Sequence, residues 1–247
     1  MVLPAVPSAL AARIADLYDV FGQYPLKRHV EGCTCGCIPA TAEAALHRRP
    51  LREMEPDDLD RYAYKAMTTW GDVDDFRHFL PRLLELLALR RLVVDTEIVL
   101  GKLTYGHWEE WPDQEREAVS SFLKAWWVAV LSQLDEDFPW EVDTLLASIA
   151  QAEQDLTPYL RQWDALQTSS ALRHLAAFVF FNGEELVRGD QKNAFWTDRP
   201  DQAHQVLIWL LTERQQLRLE QASRVFSLSP FAEVLEQAAF ILSVARG

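Results

Sequence analysis

The sequence predicts an all-α fold, a helical bundle or short α-solenoid of about ten helices, and three observations carry that expectation. Apolar residues recur at helical spacing, as in Val73, Phe76, Leu80, Leu83, Leu84 and Leu87. Prolines stand where helices begin, at Pro56, Pro112, Pro158, Pro200 and Pro230. Proline suits the first turn because its missing N–H would have no intrahelical partner there. Alternating strand patterns are scarce; the best, Leu92–Leu100, is interrupted by Asp95 and Glu97 and reads equally well as helix.

In chain order the pattern places helices near residues 8–21, 41–48, 56–69, 72–89, 95–104, 112–134, 141–153, 157–166, 169–182, 200–226 and 230–245. Asp57, Asp58, Asp113 and Asp201 follow three of the prolines and favour the positive end of a helix dipole. Thr157 and Ser229 stand where an N-cap belongs. Pro81 lies inside the 72–89 stripe and predicts a kink or break there. The stripes of Val206, Leu207, Leu210, Leu211 and Leu217, and of Phe231, Val234, Leu235, Ala238, Ile241 and Leu242, close the chain. Proline spacing is too uneven to signal a repeat. Residues 1–247 are expected to form one all-α domain with a cysteine-rich loop at 22–38.

The 247 residues hold 24 Lys+Arg and 37 Asp+Glu, a net charge of −13. Such a balance argues against a nucleic-acid binder and against docking on an anionic membrane. The N-terminal stretch has no early Lys or Arg and meets Asp16 and Asp19 soon after its apolar start. It does not read as a signal peptide, and the expected compartment is the cytoplasm.

His29-Val-Glu-Gly-Cys33-Thr-Cys35-Gly-Cys37 gathers four metal-ligating side chains in nine residues. An odd count of cysteines packed this closely is no disulfide framework. Thiolate and imidazole suit zinc, and in an extended segment alternate residues face one side, so Cys33, Cys35 and Cys37 could converge. The expectation is one structural zinc held by His29, Cys33, Cys35 and Cys37, with His47 or His78 as other sources of a fourth ligand. Free thiols and redox chemistry are the alternatives.

The segments YPLKRHVEGCTCGC (Tyr24–Cys37) and KAMTTWGDVDDFRHFLPRLLELL (Lys65–Leu87) resemble a group of uncharacterised bacterial proteins. Those proteins carry a Cys-rich HVEGC stretch and a WGDVDDFRHFLPR stretch. The resemblance covers about residues 20–90. It implies a helical bacterial protein and no particular activity.

Asp72, Asp74, Asp75 and His78 open a predicted helix. As a catalytic group, Asp74 would orient His78 as a general base, or Asp72 and His78 would bind a metal. The plainer reading is an acidic helix cap. No nucleophile or phosphate-binding motif accompanies it.

Residues 101–150 hold three basic and ten acidic residues, and five of the nine tryptophans lie between Trp108 and Trp140. Trp108, Glu109, Glu110, Trp111, Asp113 and Glu115, followed by Asp135, Glu136, Asp137 and Trp140, would make an acidic, aromatic docking surface. The resulting expectation is a non-enzymatic protein-binding module, an immunity-type inhibitor of a basic toxin or of an enzyme acting on nucleic acid. The competing expectation is a metal-dependent enzyme built on the cysteine cluster or on Asp72, Asp74, Asp75 and His78.

Overall fold

A computed structural model describes residues 6–133, 141–188 and 196–246. Among them the fold is all-α, with isolated bridges in place of any strand. In chain order the helices are α1 (Ser8–Phe21), α2 (Ala40–Leu46), α3 (Pro56–Lys65), α4 (Val73–Ala88), α5 (Thr96–Tyr105), α6 (Asp113–Ser132) and α7 (Glu141–Ala152). They continue with α8 (Thr157–Ala165), α9 (Ser169–Phe181), α10 (Gly183–Arg188), α11 (Pro200–Leu210), α12 (Glu213–Val225) and α13 (Ala232–Arg246). Short 3-10 turns stand at Leu51–Glu53 and Trp108–Glu110. No described helix is long and apolar enough to cross a membrane.

The chain divides into two compact units, Met1–Trp126 and Trp127–Gly247. In the first, α1 packs on α4 and α3 packs on α2, α4 and α5. The stripe of α4 supplies its centre: Phe76, Phe79, Leu80, Leu83, Leu84 and Leu86 have no exposed surface. In the second, α13 packs against α9, α10 and α12. Its core holds Trp127, Trp163, Leu175 and Leu242, all fully buried.

Helix starts follow local chemistry. Pro56 and Pro200 each occupy a first helical position. Glu55 and Asp58 form a reciprocal capping box at α3, and Asp72 and Asp75 form another at α4. Four expectations are corrected. The 56–69 helix ends at Lys65. The 200–226 helix is two, parted at Leu211 and Thr212. Pro81 does not interrupt α4, whose flanking leucines are held in the core. The proposed caps Thr157 and Ser229 are displaced, since Leu156 precedes α8 and α13 begins at Ala232.

Candidate functional site

The early end of α3 creates a site. After Lys65 the chain turns through Met67, which has a left-handed φ of 59°, and its amide donates to the Trp70 carbonyl (2.9 Å). Residues 69–71 then run antiparallel to residues 31–33. Cys33 N–H donates to Thr69 O (2.8 Å) and Gly71 N–H to Glu31 O (2.7 Å). The Trp70 indole N–H donates to Val30 O (3.1 Å). Val30 and Trp70 are both buried. The stretches Tyr24–Cys37 and Lys65–Leu87 thus bind each other.

Gly71 makes this approach possible. Its φ is +73°, and a Cβ there would stand 3.0 Å from Asp75 Cβ and 3.1 Å from Val30 Cγ1. Left-handed strain and crowding add. Gly71→Ala is expected to lower the unfolding free energy by about 2 kcal/mol, read by urea titration. An unchanged midpoint would remove this glycine from the account.

Cys33, Cys35 and Cys37 follow directly. Their sulfurs all lie within 4.8 Å of one another, close enough to hold a metal ion. Cys33 and Cys35 are joined as a disulfide and Cys37 is free. That pairing corrects the expectation of an unbridged cluster: their Cα atoms are 5.4 Å apart, within the span a bridge allows. Cys37 Sγ stands 2.7 Å from Cys33 Sγ. The Arg61 guanidinium donates to Cys37 O (3.2 Å) and ties the far end of the loop to α3.

Each expected fourth ligand engages another partner through one ring nitrogen. His29 Nδ1 lies 3.1 Å from Glu43 Oε1 and His47 Nε2 3.4 Å from the same oxygen. Val30 N–H also donates to that oxygen (2.9 Å). His29 does not group with the three sulfurs; its Nδ1 faces Glu43, and Nε2 remains as a ligand atom. His78 donates from Nδ1 to Tyr24 O (2.7 Å), and burial pushes its pKa below the ordinary imidazole value.

The Asp72–His78 group does not assemble as a catalytic pair. Asp72 caps α4 by accepting from the Asp74 and Asp75 amides, each at 3.0 Å. Asp74 pairs with Arg77 (3.2 Å). Lys27, which the sequence did not single out, donates to Asp72 (2.5 Å) and lies 3.2 Å from Asp75.

A cavity of about 540 Å³ opens beside Cys33. Lys27, His29, Glu31, Cys33, Thr69 and Asp72 contribute to its wall. Thr69 Oγ1 is buried and has no hydrogen-bond partner among the described residues.

The acidic, aromatic segment resolves differently from expectation. Trp108 and Trp111 are 7% and 4% exposed, and Glu115 is 1% exposed. Residues three apart eclipse on a 3-10 turn, so both rings face inward while Glu109 and Glu110 face out. Trp111 packs edge-on against Phe21 and Phe76, and its N–H donates to Gly106 O (2.9 Å). Glu115 accepts from Tyr24 OH (2.6 Å) and stands 3.3 Å from Arg77. These three residues are core, which corrects their assignment to a docking surface. Asp113 is exposed. Asp135, Glu136, Asp137 and Trp140 lie outside the described residues.

Comparison with protein-family models, with characterised proteins and with solved structures gives no match.

Proposed function

We propose that this protein binds a thiophilic divalent metal, zinc by preference, through the reduced thiolates of Cys33, Cys35 and Cys37. The observation that carries the reading is the convergence of three sulfurs within 4.8 Å on a loop pinned at both ends. Thiolate ligands are soft and favour zinc over magnesium or calcium. Beyond Cys33 the loop has no ladder or helix of its own, so a metal would staple the three cysteines to one another. Binding to the folded state alone raises stability.

The test is zinc uptake by the full chain after disulfide reduction, measured by competition with a chromophoric chelator. One zinc per chain is expected, together with a raised melting temperature. Cys33→Ser, Cys35→Ser and Cys37→Ser should each weaken binding at least tenfold, because each removes one thiolate ligand. A reduced chain that retains no zinc overturns the reading.

A second reading is the docking of a basic protein, such as a toxin, at Glu109, Glu110 and Asp113. It is supported by the net charge of −13 and by the exposure of these three carboxylates. It lacks the aromatic anchors that concentrate binding energy. Affinity capture by the native chain, lost on neutralising these three, would support it; capture unchanged by neutralisation would dismiss it.

A further inference from the structure

We propose that the three-cysteine centre is gated by redox state: an outside low-molecular-weight disulfide oxidises Cys33 and Cys35 to the bridge the structure holds, and the metal is released. The proposal rests on the three-thiolate reading above and names what regulates it.

The same sulfurs serve two exclusive purposes. A metal needs them as thiolates. The Cys33–Cys35 bridge withdraws two of the three and leaves Cys37 alone. Zinc sites take three or four protein ligands, so one thiolate does not retain the ion. With the bridge closed, the three sulfurs still lie within 4.8 Å of one another, and Cys37 Sγ is 2.7 Å from Cys33 Sγ. A bridged pair and a ligand set are therefore separated by a small local movement. The frame around them is already made in the bridged state. Cys33 N–H donates to Thr69 O (2.8 Å), Gly71 N–H to Glu31 O (2.7 Å) and Arg61 to Cys37 O (3.2 Å). Metal release thus needs no unfolding.

Access orders the chemistry. Cys35 is exposed, whereas Cys33 and Cys37 are half-buried. Thiol–disulfide exchange proceeds by thiolate attack through a mixed disulfide and depends on access. The Cys35 thiolate leaves the metal and attacks one sulfur of the outside disulfide. A new S–S bond forms and the first outside thiolate departs. The Cys33 thiolate then attacks Cys35 Sγ, closes the bridge and expels the second outside thiolate. Two electrons pass from the two cysteines to the outside disulfide, and the metal departs as the divalent ion. Excess outside thiol reverses both steps and restores the three ligands.

The experiment equilibrates the full chain, without air, in mixtures of 2-mercaptoethanol and its disulfide, with free zinc held by a metal buffer. Alkylation and mass spectrometry read the bridge, and a chromophoric chelator reads zinc. One zinc should leave per bridge formed, the bridge should map to Cys33–Cys35 with Cys37 alkylated, and helix content by circular dichroism should not change. Linkage sets the size of the effect. Free zinc at about 100 times its Kd should raise the ratio of disulfide to squared thiol at half oxidation by about 100-fold. Cys37→Ser keeps both bridging cysteines but weakens zinc at least tenfold, so the same free zinc should raise that ratio by about tenfold or less. A midpoint indifferent to zinc in a chain that binds zinc overturns the gate while leaving the metal centre standing. So does zinc retained after oxidation, a bridge mapped to Cys37, or loss of helix on oxidation. A reduced chain that takes up no zinc overturns the centre itself.

Discussion

Arg218→Ala is expected to lower the unfolding free energy by about 2–4 kcal/mol, the cost of leaving two buried carbonyls without this donor. Arg218 is 7% exposed on α12. Its guanidinium donates to the carbonyls of Trp163 (3.1 Å) and Leu166 (3.0 Å), which lie at the end of α8. It also donates to Asp164 Oδ1 (3.2 Å) and Gln215 Oε1 (2.9 Å). Removal would strip two carbonyls at a helix C-terminus of a donor and leave Asp164 with less compensation. Trp209 and Gln215 still donate to Asp164, at 3.2 Å and 2.8 Å, and Arg214 lies 3.1 Å away. The loss therefore comes mainly from the carbonyls and the emptied volume. Arg218→Lys keeps the charge without the fork and should fall between the two. Urea unfolding provides the measurement, and a loss below about 1 kcal/mol would contradict this account.

Asp143→Asn is expected to stabilise the protein at neutral pH. Asp143 opens α7, and burial pushes its carboxyl up to about 6 although Asn182 donates to it (3.4 Å). An unfolded aspartate titrates near 3.9. Between these values the folded chain binds the extra proton, so stability falls as pH rises from about 4 to 6. At pH 7 the ionised side chain then costs about 3 kcal/mol relative to its protonated form. Asparagine keeps the shape and removes the charge, and it leaves one acceptor oxygen for the Asn182 and Trp196 donors. The variant should gain about 2–3 kcal/mol at pH 7 and almost nothing at pH 3.5. A gain independent of pH would place its origin outside this carboxyl.

The helical class was legible because apolar stripes and proline starts are local signals. What escaped the sequence was set by contacts distant along the chain. Ala66-Met-Thr-Thr-Trp70 contains no glycine or proline, so nothing local stops α3. The stop is made by pairing with residues 31–33 and by the left-handed Met67. The break between α11 and α12 did leave a trace, since Thr212 and Gln215 have the spacing of a capping box. Trp108 and Trp111 misled because their neighbours are charged. Charge beside a ring describes the neighbour's side of the turn and not the ring's. For the candidate site, the three cysteines were readable from their spacing. Lys27, Thr69 and Gly71 were not, because their roles exist only once two segments about forty residues apart lie side by side.

X-ray absorption at the zinc edge of the reduced, zinc-loaded chain counts the atoms around the metal. The account predicts three sulfurs and one lighter donor, with one sulfur lost in each cysteine-to-serine variant. A shell with two or fewer sulfurs in the native chain, or one made only of nitrogen and oxygen, would contradict it.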